Sequence, residues 1–194
     1  MDRLNEYYKN ALMGNLCKEY KYEWQRAMTD KESLVRLAMA QQAIPHMATY
    51  AHMGKGLTKD YIKQTFKDYI NGYTLHDADG VDGYTYGLYV DYDPYGDITV
   101  DKDVIHVMWT IGTTIIVPKT KCPTIYLSNR SDIHLVCDGY NNVHVYMLDD
   151  TKLTIEDADE ESTVTVFKYS DKCRTEQGRF CMAKVKEFNK ELRL

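Results

Sequence analysis

The sequence predicts an α+β protein: a helical N-terminal region followed by a β-solenoid of short strands. Three observations carry that prediction. Apolar residues recur at helical spacing through residues 1–72. From 104 to 171 the pattern changes to apolar pairs at i and i+2, repeated about every ten residues. The segment between them, 73–103, differs from both in charge and composition.

In the helical region Leu4, Tyr8, Ala11 and Leu12 line one face, and Tyr20, Trp24, Ala27 and Met28 line another. Thr29-Asp30-Lys31-Glu32 reads as a capping box, with the threonine oxygen accepting from the Glu32 amide. Leu34, Leu37 and Ala38 form the stripe of the helix that follows. Pro45 suits the first turn of a short helix running to about Met53, where Gly54-Lys55-Gly56 breaks it. Thr58 is the expected N-cap of the last helix, with Asp60 near the positive end of its dipole. Tyr61, Ile62, Phe66, Tyr69 and Ile70 give that helix its apolar face, and Asn71-Gly72 stops it. Aromatics at helical spacing more often fill a core than form a docking face.

Residues 73–103 hold eight Asp, six Tyr and four Gly, the composition of a loop-rich connector with aromatic anchors. The run Asp77-Ala78-Asp79-Gly80-Val81-Asp82-Gly83 has the alternate carboxylates that a hard cation needs. An EF-hand loop begun at Asp77 requires a bidentate Glu at its twelfth position, where Leu88 stands. Solvated turns are therefore the expectation, and no metal is assigned. Asp91-Tyr92-Asp93-Pro94-Tyr95-Gly96-Asp97 is also turn chemistry. Tyrosine among small polar residues resembles a recognition surface, since it offers large contact area at low rotamer cost. Tyr84, Tyr86, Tyr89, Tyr92 and Tyr95, with Asp91 and Asp93, are the candidate binding residues of this belt.

The β region carries the pairs Ile105/Val107, Ile115/Val117, Ile125/Leu127, Ile133/Leu135, Val143/Val145, Leu153/Ile155 and Val164/Val166. Turn formers separate them, among them Ser128-Asn129-Arg130-Ser131 and Asp138-Gly139-Tyr140-Asn141-Asn142. Parallel stacking, with two or three strands per coil, makes a short solenoid. Antiparallel strands would instead make a meander closing into a sandwich or small barrel. Short strands with turns that are seldom Asn-Gly or Asp-Gly favour the solenoid. The residue between each apolar pair belongs to the opposite face: His106, Ile116, Tyr126, His134, His144, Thr154 and Thr165. Strands stacked in sequence order would bring His134 near His144, with Cys137 and Asp132 close by, as for a transition metal or a Cys/His pair. No carboxylate occupies an equivalent position, so no metal ligand, cofactor or catalytic residue is assigned. His134 and His144 stay as candidate binding residues. The basic tail, 172–194, reads as a strand or a helix; as a closing strand it would use Phe180, Met182 and Val185, with Phe188 and Leu192 continuing it.

The net charge of −5 is unevenly distributed. Residues 1–72 have 11 Lys/Arg against 8 Asp/Glu, or +3, and the connector has one Lys against eight Asp, or −7. Residues 104–171 have 5 basic against 10 acidic groups, or −5, and the tail has 7 against 3, or +4. An acidic chain with pI about 5.7 makes nucleic acid an unexpected partner. No stretch approaches the roughly 18 apolar residues that cross a bilayer. The start lacks the basic flank and apolar run of a secretory signal, so the expected compartment is the cytoplasm. Five cysteines without a Cys-x-x-Cys spacing read as free thiols, mostly buried. There is no Gly-rich phosphate loop, His-Glu-x-x-His or Gly-x-Ser-x-Gly, so an enzyme is the less expected class.

Gly56-Leu57-Thr58-Lys59-Asp60-Tyr61-Ile62, then Phe66-Lys67-Asp68-Tyr69-Ile70-Asn71-Gly72, Asp82-Gly83-Tyr84-Thr85 and the short β repeats carry a resemblance. Together they resemble uncharacterised small proteins encoded in phages and mobile elements of gut Bacteroides-type bacteria. The resemblance implies an accessory protein acting inside a bacterial host or in a virion, and it brings no catalytic residues. The expected function is non-enzymatic binding of a host or phage protein, such as a defence component, with a small-molecule ligand as a further possibility. A virion structural or assembly protein is the alternative, and an enzyme on a polysaccharide or nucleotide the next. A solenoid's open edges also suit a homo-oligomer.

Overall fold

Residues 2–13, 18–72, 86–158, 161–178 and 183–188 are described by the computed structural model. The chain divides into two units between Leu88 and Tyr89.

The first unit is helical, with α1 (Asp2–Met13), α2 (Lys18–Ala27), α3 (Lys31–Ala38), α4 (Ile44–His52) and α5 (Lys59–Thr65). Leu4, Tyr7 and Ala11 are the buried stripe of α1, so Tyr7 takes the place expected for Tyr8. Its ring lies 5.1 Å from Trp24 and edge-on to Tyr50 at 6.1 Å. Burial pushes the Tyr7 phenol well above its ordinary range. The cap of α3 is Asp30 rather than Thr29. Asp30 has the extended backbone, and its carboxylate accepts from the Glu32 and Ser33 amides at 3.3 and 3.1 Å. A carboxylate with two acceptor oxygens serves two orphan amides where a hydroxyl serves one. Pro45 sits in the first turn of α4, and Thr58 caps α5 by accepting from the Tyr61 amide. That helix ends at Thr65 and tightens into a 3-10 turn, Lys67–Tyr69, instead of running to Ile70. Asn71 and Gly72 take the left-handed conformation, with φ of 60° and 69°.

The second unit is a parallel β-solenoid of about five turns. Its strands are β1 (Leu88–Val90), β2 (Asp97–Thr99), β3 (Val104–Met108), β4 (Ile111–Val117), β5 (Thr124–Ser128) and β6 (Asp132–Cys137). They continue as β7 (Asn142–Met147), β8 (Lys152–Ala158), β9 (Thr163–Lys168), β10 (Arg174–Gln177) and β11 (Lys184–Glu187). Odd strands form one six-stranded sheet and even strands a five-stranded one, each in chain order. Consecutive strands thus enter opposite sheets, and the ten-residue period is half a coil. Ile105 pairs with Ile125, Ile125 with Val145, Val145 with Val166 and Val166 with Val185, all in parallel. This pairing excludes the antiparallel meander. The apolar pairs of both sheets point inward and form one core, in which Ile105, Ile115, Leu135, Val145 and Ile155 are fully buried.

The solenoid extends past both limits set by composition. Its first coil, β1 and β2, lies in the Asp/Tyr segment, and β10 and β11 lie in the tail. Val185 is in β11, while Phe180, Met182 and Leu192 are outside the described residues. Corners repeat as well. Trp109, Asn129 and Asp149 turn successive coils with φ of 51°, 54° and 60°, a conformation that Asn and Asp tolerate best. Just after them Thr110, Ser131, Thr151 and Cys173 form a buried polar column. Thr110 N–H donates to Ser131 Oγ at 3.4 Å, and Thr151 Oγ1 lies 3.6 Å from Cys173 Sγ.

Candidate functional site

The loop joining β1 to β2 is a braced acidic tip. Asp91 has φ of 51°, and its amide donates to Met108 O at 2.9 Å. The Tyr92 amide donates to Thr110 Oγ1 at 3.1 Å, and the Tyr92 ring packs edge-on to Tyr89 at 5.5 Å. Asp93 Oδ1 accepts from the Tyr95 amide at 3.0 Å, while Asp93 O accepts from Thr113 Oγ1 at 2.7 Å. The neighbouring backbone approaches closely. A Cβ at Gly112, whose φ is +76°, would meet Pro94 O at 3.3 Å. On this frame the Tyr95 side chain is 96% exposed, flanked by exposed Asp93 and Asp97 and followed by exposed Asp101 and Asp103. Ile111, 59% exposed, adds apolar surface at the start of β4.

The belt tyrosines therefore divide by burial. Tyr84 is outside the described residues. Tyr86 is buried in the helical unit, edge-on to Tyr69 at 5.7 Å, with the Arg36 guanidinium 5.5 Å from its ring centre. Hydrogen bonding from Tyr86, then from Arg36, holds the Glu32 carboxyl below its usual range. Tyr89 belongs to the solenoid core, where burial raises its phenol to about 12. Tyr92 is half-buried against that core. Asp91, Asp93 and Tyr95 come together on the tip.

His134 and His144 do not meet. β6 and β7 belong to different sheets, so the two imidazoles occupy the outer faces of opposite walls. His134 Nδ1 lies 2.6 Å from Glu156 Oε1, and its register neighbours are Thr114 and Thr154. His144 lies beside Thr124 and Thr165, 5.9 Å from the Phe167 ring. Among the described residues no group of three or more His, Cys, Asp or Glu is placed to hold a metal ion. The Asp77–Gly83 run is outside them.

A histidine pair missed in the sequence is His106 with Ser128. His106 Nε2 is 2.8 Å from Ser128 Oγ, and Asn129 Nδ2 donates to the same oxygen at 3.0 Å. Nδ1 of the His106 ring is buried without a partner among the described residues. Both His106 and Ser128 are fully buried. Burial lowers the imidazole to about 3, too weak a base to activate serine near neutrality. The pair is a core hydrogen bond rather than a nucleophile and its base. The signal for it was the separation of about one coil.

The outer face of the six-stranded sheet carries a ring stack: Tyr126 to Tyr146 at 5.0 Å, Tyr146 to Phe167 at 4.7 Å, Phe167 to Phe188 at 6.0 Å. Ring faces in such a stack cover one another, leaving edges and hydroxyls outward. In the helical unit Tyr8, Leu12, Lys21, Tyr22 and Gln25 line a groove of about 470 Å³. Of the cysteines among the described residues, Cys122 is exposed while Cys137 and Cys173 are buried. Among the described residues no helix is long and apolar enough to cross a membrane. Comparison with protein-family models, curated proteins and solved structures finds no match to this chain.

Proposed function

We propose that the protein is a non-enzymatic accessory protein of a phage or mobile element that acts by binding a host protein through the Tyr95 tip. The observation that carries the reading is a fully presented aromatic on a loop held by Thr110 and Thr113 and by its own Asp93–Tyr95 turn. A tyrosine at 96% exposure contributes nothing to the core, and bracing lowers the entropy lost when it docks. Residues 91–103 carry five Asp and one Lys, so the complementary surface is basic with a pocket for a phenol ring.

Tyr95→Ala tests this directly. Folding stability is expected to stay within about 0.5 kcal/mol of wild type, because the side chain is solvated. Retention of the host partner should fall about 30-fold, the loss of a central tyrosine anchor worth about 2 kcal/mol. Wild-type capture should also weaken with added salt. Recovery of the same host proteins by both chains would sink the proposal.

A further inference from the structure

We infer that the free edge of β11 accepts an extended acidic peptide of a partner protein as the next parallel strand of the six-stranded sheet. Among the described residues no strand lies beyond β11. The Phe188 amide donates to Lys168 O at 2.8 Å on the β9 side. Backbone groups alternate sides along a strand, so those of Val185 and Glu187 point to the open side. The core column is also unfinished there. Ile105, Ile125, Val145 and Val166 are at most 1% exposed, whereas Val185 is 37% exposed. Phe188, the last ring of the stack, is 43% exposed.

Charge selects the occupant. The outward positions of β11 are Lys184 and Lys186, beside Thr165 and Phe167 of β9. Glu187 is matched by Lys168 at 3.6 Å, so the lysines set the sign of the edge. Side chains that oppose one another across a strand pair share a face. In the central antiparallel registers that keep Val185 inward, pairing of β11 with a second copy sets Lys184 against Lys186, or one of these two lysines against itself. Like charges directly opposite repel, so self-pairing is disfavoured. At the other end of the sheet β1 is buried throughout, which leaves no matching edge for head-to-tail stacking. The occupant is therefore a different chain with carboxylates outward, an apolar residue against Val185 and an aromatic to lie on Phe188. This is strand addition with its polarity fixed by two lysines, and it stands independently of the Tyr95 tip.

The test uses the full chain and two labelled peptides, GEVEVYG and GKVKVYG, with fluorescence anisotropy and amide hydrogen exchange. GEVEVYG is expected to bind about tenfold or more tightly than GKVKVYG and to slow exchange at Val185 and Glu187. Lys184→Glu combined with Lys186→Glu should reverse the preference, a gain that a misfolded chain cannot show. Equal affinities, no binding of GEVEVYG, or unchanged exchange at Val185 and Glu187 overturns the inference.

Discussion

Urea unfolding repeated from about pH 7.5 down to pH 4 is expected to show a steep acid loss of stability, with His106 a main contributor. An unperturbed imidazole titrates near 6.5, while burial holds His106 at about 3. Below pH 6.5 the unfolded chain takes up a proton that the native state refuses. The stability is thus complete above pH 6.5 and is lost as pH falls toward 3, by about 1.4 kcal/mol per pH unit. By about pH 3.5 that amounts to about 4 kcal/mol, comparable with the whole stability of many domains. His106→Gln isolates the effect, because an amide can keep the Ser128 hydrogen bond without titrating. The variant should be about 1 kcal/mol less stable at neutral pH. Its pH profile should be shallower by one proton, so it overtakes the wild type in mild acid. Parallel profiles for the two chains would show that His106 is not the acid-sensitive group.

Asn141→Ala should cost about 3 kcal/mol, although the residue looks like one more polar turn former. Asn141 is 3% exposed at the corner between β6 and β7. Its amide donates to Pro118 O at 2.7 Å and Lys121 O at 3.0 Å, both in the preceding coil. Its carbonyl accepts from the Gly139 amide at 3.0 Å and from Ser162 Oγ, one coil further on, at 3.3 Å. One side chain thus ties three successive corners together, and truncation strands several polar groups at once. Asn141→Asp discriminates the mechanism. A carboxylate keeps the acceptor but turns two donated bonds into oxygen–oxygen repulsion, so this near-isosteric change should destabilise at least as much as alanine. Thermal unfolding of both variants checks the ranking. Asp tolerated as well as Asn would mean that the donated bonds are dispensable.

Much of the architecture was legible in the chain. Ile105/Val107, Ile125/Leu127 and their successors announce inward-facing strands, because alternation is a local property of extended backbone. Thr58 and Pro45 announce helix starts for the same reason, since a cap involves neighbours within one turn. The cap at Asp30 was misplaced by one residue, as Thr29 and Asp30 are both competent and only the backbone chooses between them. The solenoid's limits were misplaced further, because the Asp and Tyr content of 86–103 masks strands as short as three residues.

The candidate site was less legible, for a physical reason. Six tyrosines in one acidic segment look equivalent in sequence. Tyr86 and Tyr89 are buried, Tyr92 is half-buried, and Tyr95 is left at 96% exposure by the bracing from Thr110 and Thr113. His134 and His144 are ten residues apart, which is adjacency in a meander but opposite walls in a two-strand coil. His106, on the same alternation as both, is fully buried and holds Ser128 of the next coil.

The sequence by itself determined the helical start, the strand repeat and the inward face of each strand. Those follow from backbone geometry and hydrophobic period, which act over a few residues. Only the tertiary structure decided that successive strands part into two parallel sheets, that Tyr95 of the acidic belt is fully presented, and that β11, with Lys184 and Lys186 outward, is the last strand of its sheet among the described residues. Each depends on what lies one coil away, about twenty residues along the chain, and no local period encodes it.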